Sequence, residues 1–102
     1  MAAAMDSLMN LQLPTDRLIL ETLEDGRNLA VNISLEIDRS RNYINGRMTQ
    51  LLDYDLVSKV GPAENTGLYE LTERGQAVLY LLDEGDDPSS AGFEERVEQR
   101  LN

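Results

Sequence analysis

The chain has 102 residues, enough for one domain with one modest core, because a chain this short buries only about two thirds of its unfolded surface. It contains no cysteine and no histidine, which excludes disulfides, thiolate metal sites, histidine general bases and the usual catalytic triads, and no spacing pairs its many carboxylates with another catalytic group, so no enzyme and no cofactor is expected. Nineteen Asp and Glu residues stand against nine Lys and Arg, for a formal net charge of -10, and any stretch that escapes this acidic background stands out.

Residues 1–13 read as an N-terminal arm. Met1 to Met9 has neither a basic n-region nor a long apolar segment, which points to a soluble, cytoplasmic protein. Pro14 stops any preceding helix and Thr15 or Asp16 can cap a new one. Ile19, Leu20 and Leu23 then recur at helical spacing until Gly26, predicting a first helix over Asp16 to Asp25. After an extended step at Asn28 and Leu29, Ile33 and Ile37 stand four apart in a short second helix, Val31 to Ile37. Asp38 and Arg39 make a break. Ser40 is a good N-cap, and Ile44, Met48, Leu51 and Leu52 mark one face of a longer third helix, Arg41 to Tyr54.

From Leu56 the pattern turns extended, with strands at Leu56–Val60 and Leu68–Leu71 around a Gly, Pro and Asn loop. Thr72 caps a fourth helix, Glu73 to Asp83, whose apolar stripe is Ala77, Val78, Leu81 and Leu82. Residues 85–102 divide into an acidic linker and a tail. Phe93, Val97 and Leu101 give the tail the spacing of a short amphipathic helix, with a frayed terminus as the alternative.

The order helix, helix, break, helix, hairpin, helix over 14–84 predicts an α+β, mainly α fold, a winged helix-turn-helix of three helices, a two-stranded wing and a C-terminal helix. The exposed face of its third helix is suited to the DNA major groove. At about 100° per residue, Asn42, Asn45, Gly46 and Thr49 lie opposite Ile44, Met48 and Leu51. Asn pairs in bidentate fashion with adenine, Thr meets a thymine methyl, and Gly46 permits close backbone approach. Arg39, Ser40 and Arg41 at the amino end, with Tyr43 and Arg47, complete the candidate DNA-binding set on the helix, and Lys59 joins it from the first wing strand.

Between Asp38 and Asp53 there are three arginines and no acid, whereas Asp83 to Glu98 holds seven acids and one arginine. This predicts a dipolar molecule with its basic side at the third helix. Alternatives stay open at several positions. Arg41 and Arg47 can be solvated, Arg47 can pair with a carboxylate, and Tyr43 can pack in the core. Arg27, Asn32 and Ser34 can brace phosphates, although a small Ser34 also lets the second and third helices approach closely.

Arg17–Leu23, Asn28–Ile37, Arg41–Met48, Leu51–Val57 and Tyr69–Gly75 resemble stretches of the haloarchaeal winged-helix proteins named after the repressor of the halophage phi-H. The resemblance spans Asp16 to Leu82 and implies a repressor-like DNA-binding regulator, usually dimeric, that reads its operator with the third helix. Gly46 inside that helix and Asp38 at the break depart from the pattern. One lysine among nineteen acids also fits a salt-loving source, where cations are expected to bridge protein carboxylates and DNA phosphates. Leu79, Tyr80, Leu81 and Leu82 exceed the needs of one face and suggest a homodimer contact through the fourth helix and the terminal segments. The competing function is a protein-protein interaction module of the transcription machinery, which would suit the negative charge.

Overall fold

The computed structural model describes residues 9–61 and 68–102. The first eight residues of the arm and the tip of the predicted hairpin lie outside them. Five helices and three strands follow in the order α1 (Thr15–Glu24), β1 (Asn28–Leu29), α2 (Ala30–Glu36), α3 (Arg41–Asp53), β2 (Val57–Lys59), β3 (Leu68–Leu71), α4 (Glu73–Asp83) and α5 (Phe93–Leu101). The fold is α+β and mainly helical, with a small antiparallel sheet in the order β1-β3-β2. Among the described residues, no helix is long and apolar enough to cross a membrane.

Local chemistry accounts for most helix boundaries. The Ser40 hydroxyl accepts the Tyr43 amide at 3.1 Å and the Thr72 hydroxyl accepts the Gly75 amide at 2.9 Å, each satisfying an amide of a first turn. The start of α1 departs from expectation. Its N-cap is Pro14, without a side-chain cap, and Thr15 and Asp16 are buried inside the first turn.

Three helices end in the same device, a left-handed residue followed by an amide that reaches back over the last turn. Asp38 (φ 59°) lets Arg39 N bond Ser34 O, Asp55 (φ 64°) lets Leu56 N bond Leu51 O, and Gly85 (φ 88°) lets Asp86 N bond Leu81 O. Aspartate is among the few side chains that tolerate this conformation, so Asp38 serves as the break between α2 and α3.

The extended step at Asn28 and Leu29 proves to be a third strand. Asn28 stands opposite Tyr69 and Leu29 opposite Leu68, so β3 is paired on both edges. Two residues carry no alternation from which pairing could be read. The hairpin partner β2 aligns Val57, Ser58 and Lys59 with Leu71, Glu70 and Tyr69.

α1 packs on α4 and on β3, α2 packs on α3, and α5 packs on α4. One core runs through all of them, from Ile19, Leu20 and Leu23 of α1 to Phe93 and Val97 of α5. The tail is thus a docked helix rather than a frayed end. Its arrival also changes the meaning of α4, because Leu79, Leu81 and Leu82 are buried within the chain and only Tyr80 stays exposed. The apolar surplus that suggested a dimer contact through the fourth helix is absorbed internally. Where α4 begins, a Cβ on Gly75 would stand 2.2 Å from the Leu56 carbonyl oxygen, so only glycine lets this helix close onto the turn after α3.

Candidate nucleic-acid interface

α3 buries Ile44, Met48 and Leu51 completely and leaves Asn42, Asn45, Gly46 and Thr49 exposed on the opposite side, as the helical wheel predicts. The carboxamides of Asn42 and Asn45 make no hydrogen bond with the described residues, while the Thr49 hydroxyl donates to Asn45 O at 3.1 Å. A Cβ on Gly46 would meet nothing within 4 Å among the described residues, so no contact with them requires a glycine there.

Arg39 and Arg41 flank the capped start of this helix, both exposed. Arg39 Nη1 donates to the carbonyls of Ile37 and Asp38 at 3.2 and 3.1 Å, closing the C-terminal end of α2. The Arg41 guanidinium has neither a hydrogen bond nor an ion pair among the described residues. Neither arginine is matched by a carboxylate among the described residues.

The other arginines are all engaged. Arg17 bonds Glu21 at 3.1 Å and also Asp83, Arg27 meets Glu70 at 3.0 Å, Arg74 meets Glu98, and Arg96 grips Asp86 at 2.7 and 2.8 Å. Hydrogen bonding from Arg96 holds the Asp86 carboxyl below its ordinary range. Arg100 lies 3.4 Å above the centre of the Tyr80 ring.

Arg47 leaves the expected DNA-binding set. It is only 8% exposed, and its Nε and Nη2 donate to the two carboxylate oxygens of fully buried Asp16 at 2.9 and 2.7 Å. The hydrogen bond and the charge of Asp16 raise the guanidinium pKa above its usual value against the opposing effect of burial. Position 47 lies about 60° from Ile44 on the wheel, beside the core stripe rather than opposite it. That spacing was the available signal. A partner 31 residues away in sequence was not.

Two further candidates have structural engagements. The Ser40 hydroxyl acts as the cap, and the half-exposed Tyr43 donates its hydroxyl to Gln12 Oε1 at 2.7 Å. Lys59 sits on β2, its ammonium 5.9 Å from the centre of the Tyr69 ring across the hairpin. In the bracing trio, Arg27 is paired as above, Asn32 Nδ2 donates to Asn28 Oδ1 at 3.2 Å, and buried Ser34 donates to Val31 O at 2.7 Å. Ser34 thus has the packing role.

Sequence reasoning overlooked Asn10, Gln12, Asp16 and Tyr54, which join the arm to α3 through hydrogen bonds. Nothing in their spacing marks them, since the contacts cross 31 to 44 residues. Among the described residues, no group of three or more carboxylates is arranged to hold a metal ion. No family model matches the chain, and no match was found among curated proteins or solved structures.

Proposed function

We propose that the chain is a winged helix-turn-helix, phi-H repressor-like regulator of transcription that binds duplex DNA, with α2 and α3 as the helix-turn-helix and β2–β3 as its wing. The observation that carries this reading is the pair Arg39 and Arg41. In a chain of net charge -10, these two arginines lack a carboxylate or ring partner among the described residues, and they flank the start of the helix whose outward strip is Asn42, Asn45, Gly46 and Thr49.

A helix of 13 residues is about 20 Å long and fits the major groove, which is roughly 12 Å wide. Arg39 and Arg41 then meet phosphate or guanine, Asn42 and Asn45 have carboxamides available for adenine edges, and Gly46 admits a close approach of backbone to backbone. Lys59 touches the backbone from the wing. A single such face reads only a few base pairs, so two copies bind as a homodimer with recognition helices roughly 34 Å apart. The acidic remainder keeps non-specific DNA association weak. It also suits a salt-rich medium, in which cations bridge surface carboxylates to phosphate.

Selection of bound duplexes from a random pool at molar KCl tests binding, symmetry and specificity together. The expected product is a two-fold symmetric site. Arg39, Arg41 and Lys59 give six cations in a dimer and limit the log-log salt slope to about -5.4, shallow beside the steepest DNA-binding proteins. Arg41→Glu should abolish the shift of the selected duplex while leaving thermal unfolding unchanged. Recovery of no enriched sequence, or an unaffected shift in Arg41→Glu, would transfer the face to a protein partner.

A further inference from the structure

The described part of the arm runs antiparallel along one flank of α3. Asn10 N donates to the Tyr54 hydroxyl at 2.9 Å, Asn10 O accepts from Arg47 Nη2 at 3.3 Å, and Gln12 Oε1 accepts from the Tyr43 hydroxyl at 2.7 Å. Positions 43, 47 and 54 fall within about 40° of one another around the helix, so the arm addresses a single stripe. Gln12 N also donates to Asp16 Oδ2 at 2.7 Å. A closed ring results, from Tyr43 through Gln12 and Asp16 to Arg47, one turn further along the same helix.

Two kinds of contact therefore hold α3, and they constrain it differently. Apolar packing joins it to α2 and β2 through one stripe of core residues, a contact whose driving force is non-directional. The fork of Arg47 on Asp16 is directional in two hydrogen bonds at once. A buried ion pair adds little net stability over an apolar pair of equal volume, and its best-attested benefit is to define register. Hydrogen bonding to base edges needs such definition, within about 0.5 Å and 10–20°.

We propose that this clamp of the arm on α3 sets the rotation of the reading helix and thereby the discrimination between operator and other DNA, with Gln12 and Arg47 as positioning residues. The inference rests on the DNA-binding function proposed above and adds to it a residue set remote from the outward strip. Tyr43 acts through Gln12 rather than through a phosphate.

The experiment compares affinity for the duplex selected at molar KCl with affinity for a random duplex of equal length, alongside thermal unfolding. The proteins are the full chain and its Gln12→Ala, Tyr43→Phe, double and Gln12→Glu variants. Gln12 is exposed and the Tyr43 ring is retained, so the fold is spared. Gln12→Ala and Tyr43→Phe should each lower the selected-to-random ratio roughly tenfold, the size of one lost bidentate base contact. Random-duplex affinity and the unfolding temperature should stay put. The double variant should lose no more than either single one, and Gln12→Glu, which keeps the acceptor, should restore the ratio.

An unchanged ratio in the wild-type background of a discriminating protein overturns the clamp alone. So does a Tyr43→Phe loss that is equal on both duplexes with Gln12→Ala silent, since that is the behaviour of a direct phosphate contact. A wild-type chain that shifts no duplex overturns the DNA-binding function, and the clamp's role in discrimination with it.

Discussion

Residues 39–52 and residues 83–98 use arginine in opposite ways. In the second stretch Arg96 is held by Asp86, and the carboxylates Asp83 and Glu98 hold Arg17 and Arg74 from neighbouring helices. The charges there tie α1, α4 and α5 together. In the first stretch there is no acid, Arg39 meets only carbonyls, and Arg41 meets nothing among the described residues. Arg47 is the exception inside that stretch, since it reaches out of it to Asp16. The lesson is that charge content alone does not define an interface. A cation is available to a partner only where the fold has not supplied a carboxylate first.

Arg47 and Arg41, six residues apart on one helix, offer the sharpest test of that difference. Arg47→Ala should strand a fully buried Asp16 and cost about 3–5 kcal/mol of stability, measured by denaturant unfolding in concentrated KCl. Arg41→Ala should stay within about 0.5 kcal/mol of wild type in the same assay and lose affinity for DNA instead. Equal effects of the two on stability would erase the distinction between the engaged and the open arginine.

A smaller effect with opposite signs is expected at Gly46. Alanine there meets open space and improves helix propensity, so Gly46→Ala should stabilise the fold by about 0.8–1.0 kcal/mol and raise the melting temperature by roughly 4–8 °C. Affinity for the selected duplex should fall in the same variant, because the added methyl group stands where backbone is proposed to approach. A gain in both stability and affinity would remove close approach from the interface.

The smallest expected effect belongs to the acidic side. Hydrogen bonding from Arg96 depresses the folded-state pKa of Asp86 below its ordinary 3.8, so its contribution to stability is present above that pH and is lost as pH falls through the depressed value. Asp86→Asn should therefore be less stable than wild type at neutral pH, with the gap closing below pH 3.8. Unfolding curves across an acid series check this. A gap that persists in acid would assign the effect to packing of the loop before α5 rather than to charge.

Element order was legible because it depends on local chemistry. Ser40 and Thr72 announce α3 and α4 through capping, Gly85 announces an end, and the apolar spacing of Ile44, Met48 and Leu51 orients α3 without reference to any other element. Asp55 was not recognised as a left-handed terminator, since aspartate is common in many other settings. The pairing of β1 was hidden for a related reason: two residues are too few to show a period. α5 was ambiguous because its apolar spacing cannot say whether a surface awaits it.

The sequence by itself determined which side of α3 faces outward, which stretch lacks acid and where α3 and α4 begin, because each of these follows from neighbours within one or two turns. Only the tertiary structure decided which arginines remain open, that α5 covers the apolar residues of α4, and that the arm lies along the flank of α3. These depend on partners tens of residues away, and the meeting of Arg47 with Asp16 comes from chain topology, which neither residue's local context encodes.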